Sequence, residues 1–83
     1  MSNAPDGSGP ADDALQALRE AVRLSPNNLP LRQHLADTLF SHGLPEEAEK
    51  EYRAALELAP NSLPLRLGLA RAFFSKANKV MRW

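Results

Sequence analysis

Two histidines, four clustered glutamates and a scatter of serines are the side chains here that could hold a metal, move a proton or attack a carbonyl. His34 and His42 stand eight residues apart, and a helical zinc site needs ligands one turn apart, so no metal-ligand spacing is present. Glu46, Glu47, Glu49 and Glu51 could supply an acid and a base. Lys50 and Arg53 are interleaved with them, however, and that pattern predicts a solvated polar helix face. Ser25, Ser41, Ser62 and Ser75 fall at expected turns and helix ends, without a nucleophile elbow or an attendant base. Gly7-Ser8-Gly9 lacks the Gly-Lys-Ser/Thr that completes a phosphate loop and reads as linker. The absence of cysteine removes disulfides, thiolate metal sites and cysteine nucleophiles. No catalytic residue, metal ligand or cofactor is expected.

The elements that carry these residues belong to one small domain, since 83 residues cannot build two cores. Composition, at 43% hydrophobic and 24% charged, is too apolar for wholesale disorder and too interrupted by charge for a membrane span. Ten basic residues balance ten acidic ones, so the broad attraction to nucleic acid or anionic lipid shown by strongly basic domains is missing. Neither a nucleic acid nor a membrane is expected as partner. Residues 1–10, with two prolines, two glycines and no apolar run, read as a disordered leader, part of which resembles a tag scar. They carry no secretory signal, and a cytoplasmic location is expected.

An internal repeat decides the architecture. Pro26-Asn27-Asn28-Leu29-Pro30-Leu31-Arg32 returns as Pro60-Asn61-Ser62-Leu63-Pro64-Leu65-Arg66, a period of 34 residues. Leu35-Ala36 matches Leu69-Ala70 at the same offset, Phe40-Ser41 matches Phe74-Ser75, Ala14 matches Ala48 and Ala21 matches Ala55. Within the period the apolar spacing is helical, as in Leu31, Leu35 and Leu39. Gly43 suits a left-handed helix end, Pro45 a first helical position, and Pro26 and Pro60 the close of the preceding segments. Asp12, Asn28 and Ser62 are expected N-caps, with Glu46 and Glu47 at a helix's positive end. Four helices follow, over roughly 11–25, 29–42, 45–59 and 63–76. Residues 77–83 remain as a tail or a degraded helix, with Ala77 where a turn glycine is due.

These residues resemble the tetratricopeptide repeat family. Leu35-Ala36 stands for its Leu-Gly pair, Leu39 for its first-helix aromatic and Gly43 for its turn glycine, followed by Ala48, Tyr52, Ala55 and Pro60. Arg32 and Arg66 occupy the position of its tryptophan. The resemblance implies an all-α fold of antiparallel helix-turn-helix hairpins stacked as a short α-solenoid over residues 11–76. Residues 11–26 resemble a second helix without its first, and residues 63–76 a first helix whose second is missing or degraded. Physically, Ala36, Ala48 and Ala55 allow close helix approach while Leu35, Leu39 and Tyr52 fill the space between.

The resemblance further implies a noncatalytic scaffold or adaptor that binds a protein or peptide in a groove lined by first helices. Its groove positions fall on Gln33, Asp37, Phe40 and Ser41 in one repeat and on Leu67, Arg71, Phe74 and Ser75 in the next. The carboxylate clamp of the family needs lysines and asparagines there; Gln33, Asp37 and Leu67 stand instead, which favours an apolar or mixed peptide. Two alternatives stay open. One is homodimer formation through an uncovered face of Leu65, Leu69, Phe73, Val80, Met81 and Trp83. The other is service as the N-terminal adaptor of a larger enzyme, such as an ATPase of the AAA family, to whose repeat regions Leu-Pro-Leu-Arg is weakly similar. Charge is uneven along the chain: residues 1–57 hold all ten acids and five bases, and residues 58–83 hold five bases and no acid. That asymmetry fits either a polar exterior that is merely uneven or head-to-tail contact or the steering of an acidic partner.

Overall fold

The computed structural model describes residues 10–80, arranged as four helices: α1 (Pro10–Leu24), α2 (Leu29–Ser41), α3 (Pro45–Leu58) and α4 (Leu63–Val80). Each helix packs against the next in sequence, so the chain folds as antiparallel hairpins laid side by side, and the described residues contain no strand. The expected leader up to residue 9, with Met81 and Trp83, lies outside the described residues.

Local chemistry sets the helix ends. Asn28 is extended, at φ −80° and ψ 97°, and its Oδ1 accepts from the Leu31 N–H at 3.2 Å, capping α2. One period later the Ser62 Oγ accepts from the Leu65 N–H at 3.3 Å. At the far end of α2, the Leu44 N–H donates to the Leu39 carbonyl at 3.0 Å and the Gly43 N–H to the Phe40 carbonyl at 3.1 Å. Those two bonds form a Schellman motif around Gly43, whose φ of 77° only glycine adopts without strain. Pro45 then opens α3, with Glu46 and Glu47 in its first turn.

Two expected boundaries differ. α1 begins at Pro10 rather than after it, because proline's fixed φ and missing N–H suit a first helical position; Asp12 therefore lies inside the helix and is no cap. α4 does not stop at residue 76 but runs through Ala77 to Val80. Alanine is the strongest helix former, and without a glycine to adopt positive φ the helix has no reason to turn where α2 did.

The core is formed by Leu15 and Val22 of α1, Leu35, Ala36 and Leu39 of α2, Ala48, Tyr52 and Ala55 of α3, and Leu65 and Ala72 of α4. Ala36, Ala48 and Ala55 are wholly inaccessible, as close approach of the helices requires. Leu39 and Leu65 are the largest fully buried side chains, each stabilising the fold by about 1.5–3 kcal/mol. The burial of Leu65 corrects its expected place on an outer face. α4 meets α3 along Leu65, Gly68 and Ala72, three residues on one helical stripe, and Leu65 is consumed in that contact.

The second correction concerns the glutamates. Glu49 is buried rather than solvated, and its two oxygens accept from Lys76 Nζ of α4 and from the Arg53 guanidinium, each at 2.6 Å. Glu47 pairs with Arg19 of α1 at 2.8 Å, and Glu51 with Arg32 of α2 at 3.0 Å. Three of the four carboxylates thus tie α3 to every other helix. The Arg32 guanidinium also donates to the Pro26 carbonyl at 3.0 and 3.1 Å, clamping α2 to the turn before it.

Candidate functional site

Residues Gln33, Asp37, Phe40 and Ser41 are spaced so that they share one side of α2, and Pro64, Leu67, Gly68 and Arg71 share one side of α4. The two sides converge on an open groove of about 260 Å³ floored by Tyr52 of α3. Gly68 lets α4 come down onto this floor, since a Cβ there would stand 2.4 Å from Tyr52 Cε1.

The floor is fixed by a hydrogen bond that the Tyr52 hydroxyl donates to Asp37 Oδ1. Burial, and next to it the Asp37 carboxylate that accepts its proton, raise the Tyr52 pKa well above its ordinary value. The ring's hydroxyl therefore stays a neutral hydrogen-bond donor. On the groove's rim the Arg71 guanidinium lies over the Phe40 ring, 5.3 Å from its centroid, within cation–π range. The groove so offers an aromatic face, the apolar Leu67 and Pro64, one guanidinium and one side-chain amide.

Six of the eight residues expected in the groove come together here: Gln33, Asp37, Phe40, Ser41, Leu67 and Arg71. Phe74 and Ser75 do not line it. Phe74 is 73% exposed further along α4, because among the described residues no helix follows to build a second groove beside it. Tyr52, Pro64 and Gly68 also line the groove, and the resemblance did not point to them. The signal for Gly68 was its place one residue after Leu67 and three before Arg71, on the same stripe. His34 is exposed outside the groove and His42 follows the last residue of α2. Among the described residues no three histidines, cysteines or acids gather as a metal site, and no helix is long and apolar enough to cross a membrane.

Hairpins with small residues at the seam, a 34-residue period and a first-helix groove find their counterpart in two tetratricopeptide repeat family models, which match residues 7–54 and 34–79. The chain belongs to the tetratricopeptide repeat family. It matches no curated protein and no solved structure. Tetratricopeptide repeats are protein-interaction modules, and the two overlapping matches cover both the complete α2–α3 hairpin and the flanking single helices. In this tetratricopeptide chain Arg32, at the tryptophan's position, makes an ion pair to Glu51 and a hydrogen bond to the Pro26 carbonyl.

Proposed function

We propose that this tetratricopeptide domain is a noncatalytic scaffold that binds an extended peptide of mixed polarity along the α2–α4 groove. The carrying observation is the convergence of Phe40, Leu67 and Arg71 over a floor that Tyr52 and Asp37 hold fixed. Pre-organisation lowers the ordering cost of binding, and an aromatic beside a guanidinium is the pairing most often found at interface hot spots. Phe40 and Leu67 take apolar side chains of the peptide, Gln33 its backbone, and Arg71 a carboxylate or carbonyl.

Peptides selected from a randomised display library on the wild-type chain test this reading. Phe40→Ala and Arg71→Ala are expected to weaken the selected peptides by about 2 kcal/mol, roughly thirtyfold in Kd. Lys50→Ala and His34→Ala, which change exposed residues outside the groove, are expected to leave binding unchanged. Equal binding by all four variants, with helicity retained, overturns the groove assignment.

A further inference from the structure

The 34-residue period relates α1 to α3 as it relates α2 to α4, with Ala14, Leu18 and Ala21 in the places of Ala48, Tyr52 and Ala55. α3 packs between α2 before it and α4 after it, whereas α1 packs only on the helix after it and α4 chiefly on the helix before it. The two ends are complementary. Among the described residues α1 is a second helix with no first helix before it, and α4 is a first helix with no second after it.

Both uncovered faces are apolar. On α1, Ala14 and Ala17 are exposed, Leu18 and Ala21 are half-buried, and Leu24 is 67% exposed. At the other end, Arg53, Leu56, Arg66, Leu69, Ala70 and Phe73 line an open cleft of about 380 Å³ between α3 and α4. Leu69, Ala70 and Phe73 are the period-equivalents of Leu35, Ala36 and Leu39, which α1 and α3 bury almost completely. Small residues on one face and large ones on the other repeat the fit inside the α2–α3 hairpin.

Charge selects the occupant. Arg19 of α1 pairs with Glu47 of α3 at 2.8 Å. One period on, Arg53 holds the place of Arg19, and Asp13 of an incoming α1 falls at the place of Glu47. Asp12, Asp13 and Glu20 outnumber Arg19 and Arg23 along α1, while the charged residues lining the cleft, Arg53 and Arg66, are both cationic, so the two faces also attract.

We propose that a second copy of this chain docks head to tail, its α1 lying in the cleft between α3 and α4 of the first and completing the unfinished repeat. The contact is heterologous, so each copy keeps one free head and one free tail and the assembly grows as an open stack. Stacking sets α2 of the second copy beside α4 of the first, where Phe74 and Ser75 then line a second groove as Phe40 and Ser41 line the first. This proposal does not depend on peptide binding.

Sedimentation of the 83-residue chain over a wide concentration range is the test. Wild type is expected to gain mass steadily past the dimer. Ala14→Arg blocks the head and Phe73→Asp the tail, both at exposed positions, so each variant alone is expected to be a helical monomer. Their equimolar mixture is expected to form a complex that stops at one of each. Ala17→Glu gives an independent reading that needs no blocking substitution. It places a carboxylate at the equivalent of Glu51, in reach of Arg66 across the junction as Glu51 is of Arg32, and is expected to tighten association severalfold, a gain that Arg66→Ala abolishes. A wild type that stays monomeric throughout overturns the proposal. So does an Ala14→Arg variant that associates like wild type, the result a symmetric α4-to-α4 dimer would give.

Discussion

Gly68 of α4 and Tyr52 of α3 are in such close contact that a single added carbon at position 68 would overlap the tyrosine ring, at 2.4 Å from Cε1 and 2.5 Å from Cζ. The ring cannot swing aside, because it is 3% exposed and its hydroxyl is held by Asp37. This pair sets how near α4 lies to α3 and so how deep the groove is.

Gly68→Ala is therefore governed by two opposed effects. Alanine improves a helix interior by about 1 kcal/mol, while overpacking a well-filled contact costs about 1–3 kcal/mol. Overlap this severe puts the cost at the upper end, and chemical denaturation is expected to show net destabilisation. In a Tyr52→Leu background the ring is gone, and the same substitution is expected to stabilise. A double-mutant cycle that showed no such reversal of sign would contradict the contact.

Glu49 makes stability depend on acid. Hydrogen bonds from Lys76 first and Arg53 second hold its pKa below the ordinary 4.5, so the folded chain resists protonation there more than the unfolded chain does. Its contribution is complete above the unfolded value and is lost as pH falls through the lowered folded one. Glu49→Gln is expected to cost about 1–2 kcal/mol at neutral pH, discounted for the exposure of Arg53, with the variant and wild-type stabilities converging in strong acid. Urea titrations across the acid range measure it.

Gly43 tests the turn of the one complete hairpin. Nothing lies within 4 Å of a Cβ built there, so only the backbone resists substitution at φ 77°. Gly43→Ala is expected to lower stability by about 1 kcal/mol and Gly43→Asn by less, since asparagine tolerates the left-handed region. A thermal melt of the three proteins ranks them.

Asn28→Ala removes the acceptor for the Leu31 N–H and is expected to cost about 1 kcal/mol. Ser62→Ala, its counterpart before α4, is expected to cost a similar amount. The two sites share no partner, so their effects should add in the double variant. In a domain of this size either loss is a sizeable share of total stability, and denaturant midpoints resolve it.

The sequence by itself determined what depends on neighbours along the chain. Period, helix type, the turn at Gly43, the caps at Asn28 and Ser62 and the alanine seam all follow from local rules repeated every 34 residues. Gln33, Asp37, Phe40, Ser41, Leu67 and Arg71 were legible only through the family resemblance, which implies where groove positions fall, and helical spacing then sets them on one side of α2 and of α4. Only the tertiary structure decided what depends on which helix lies alongside. Leu69 and Phe73 stand one period after Leu35 and Leu39 and are equally apolar, yet they stay partly uncovered, because α2 lies between two helices and α4 beside the last of them. Leu65, Gly68 and Ala72 are buried instead, and Glu49 becomes a buried link to Lys76 rather than part of a solvated face. A periodic sequence fixes what each position offers; burial is a property of the pair of surfaces that meet, and the ends of a stack have a surface to meet on only one side.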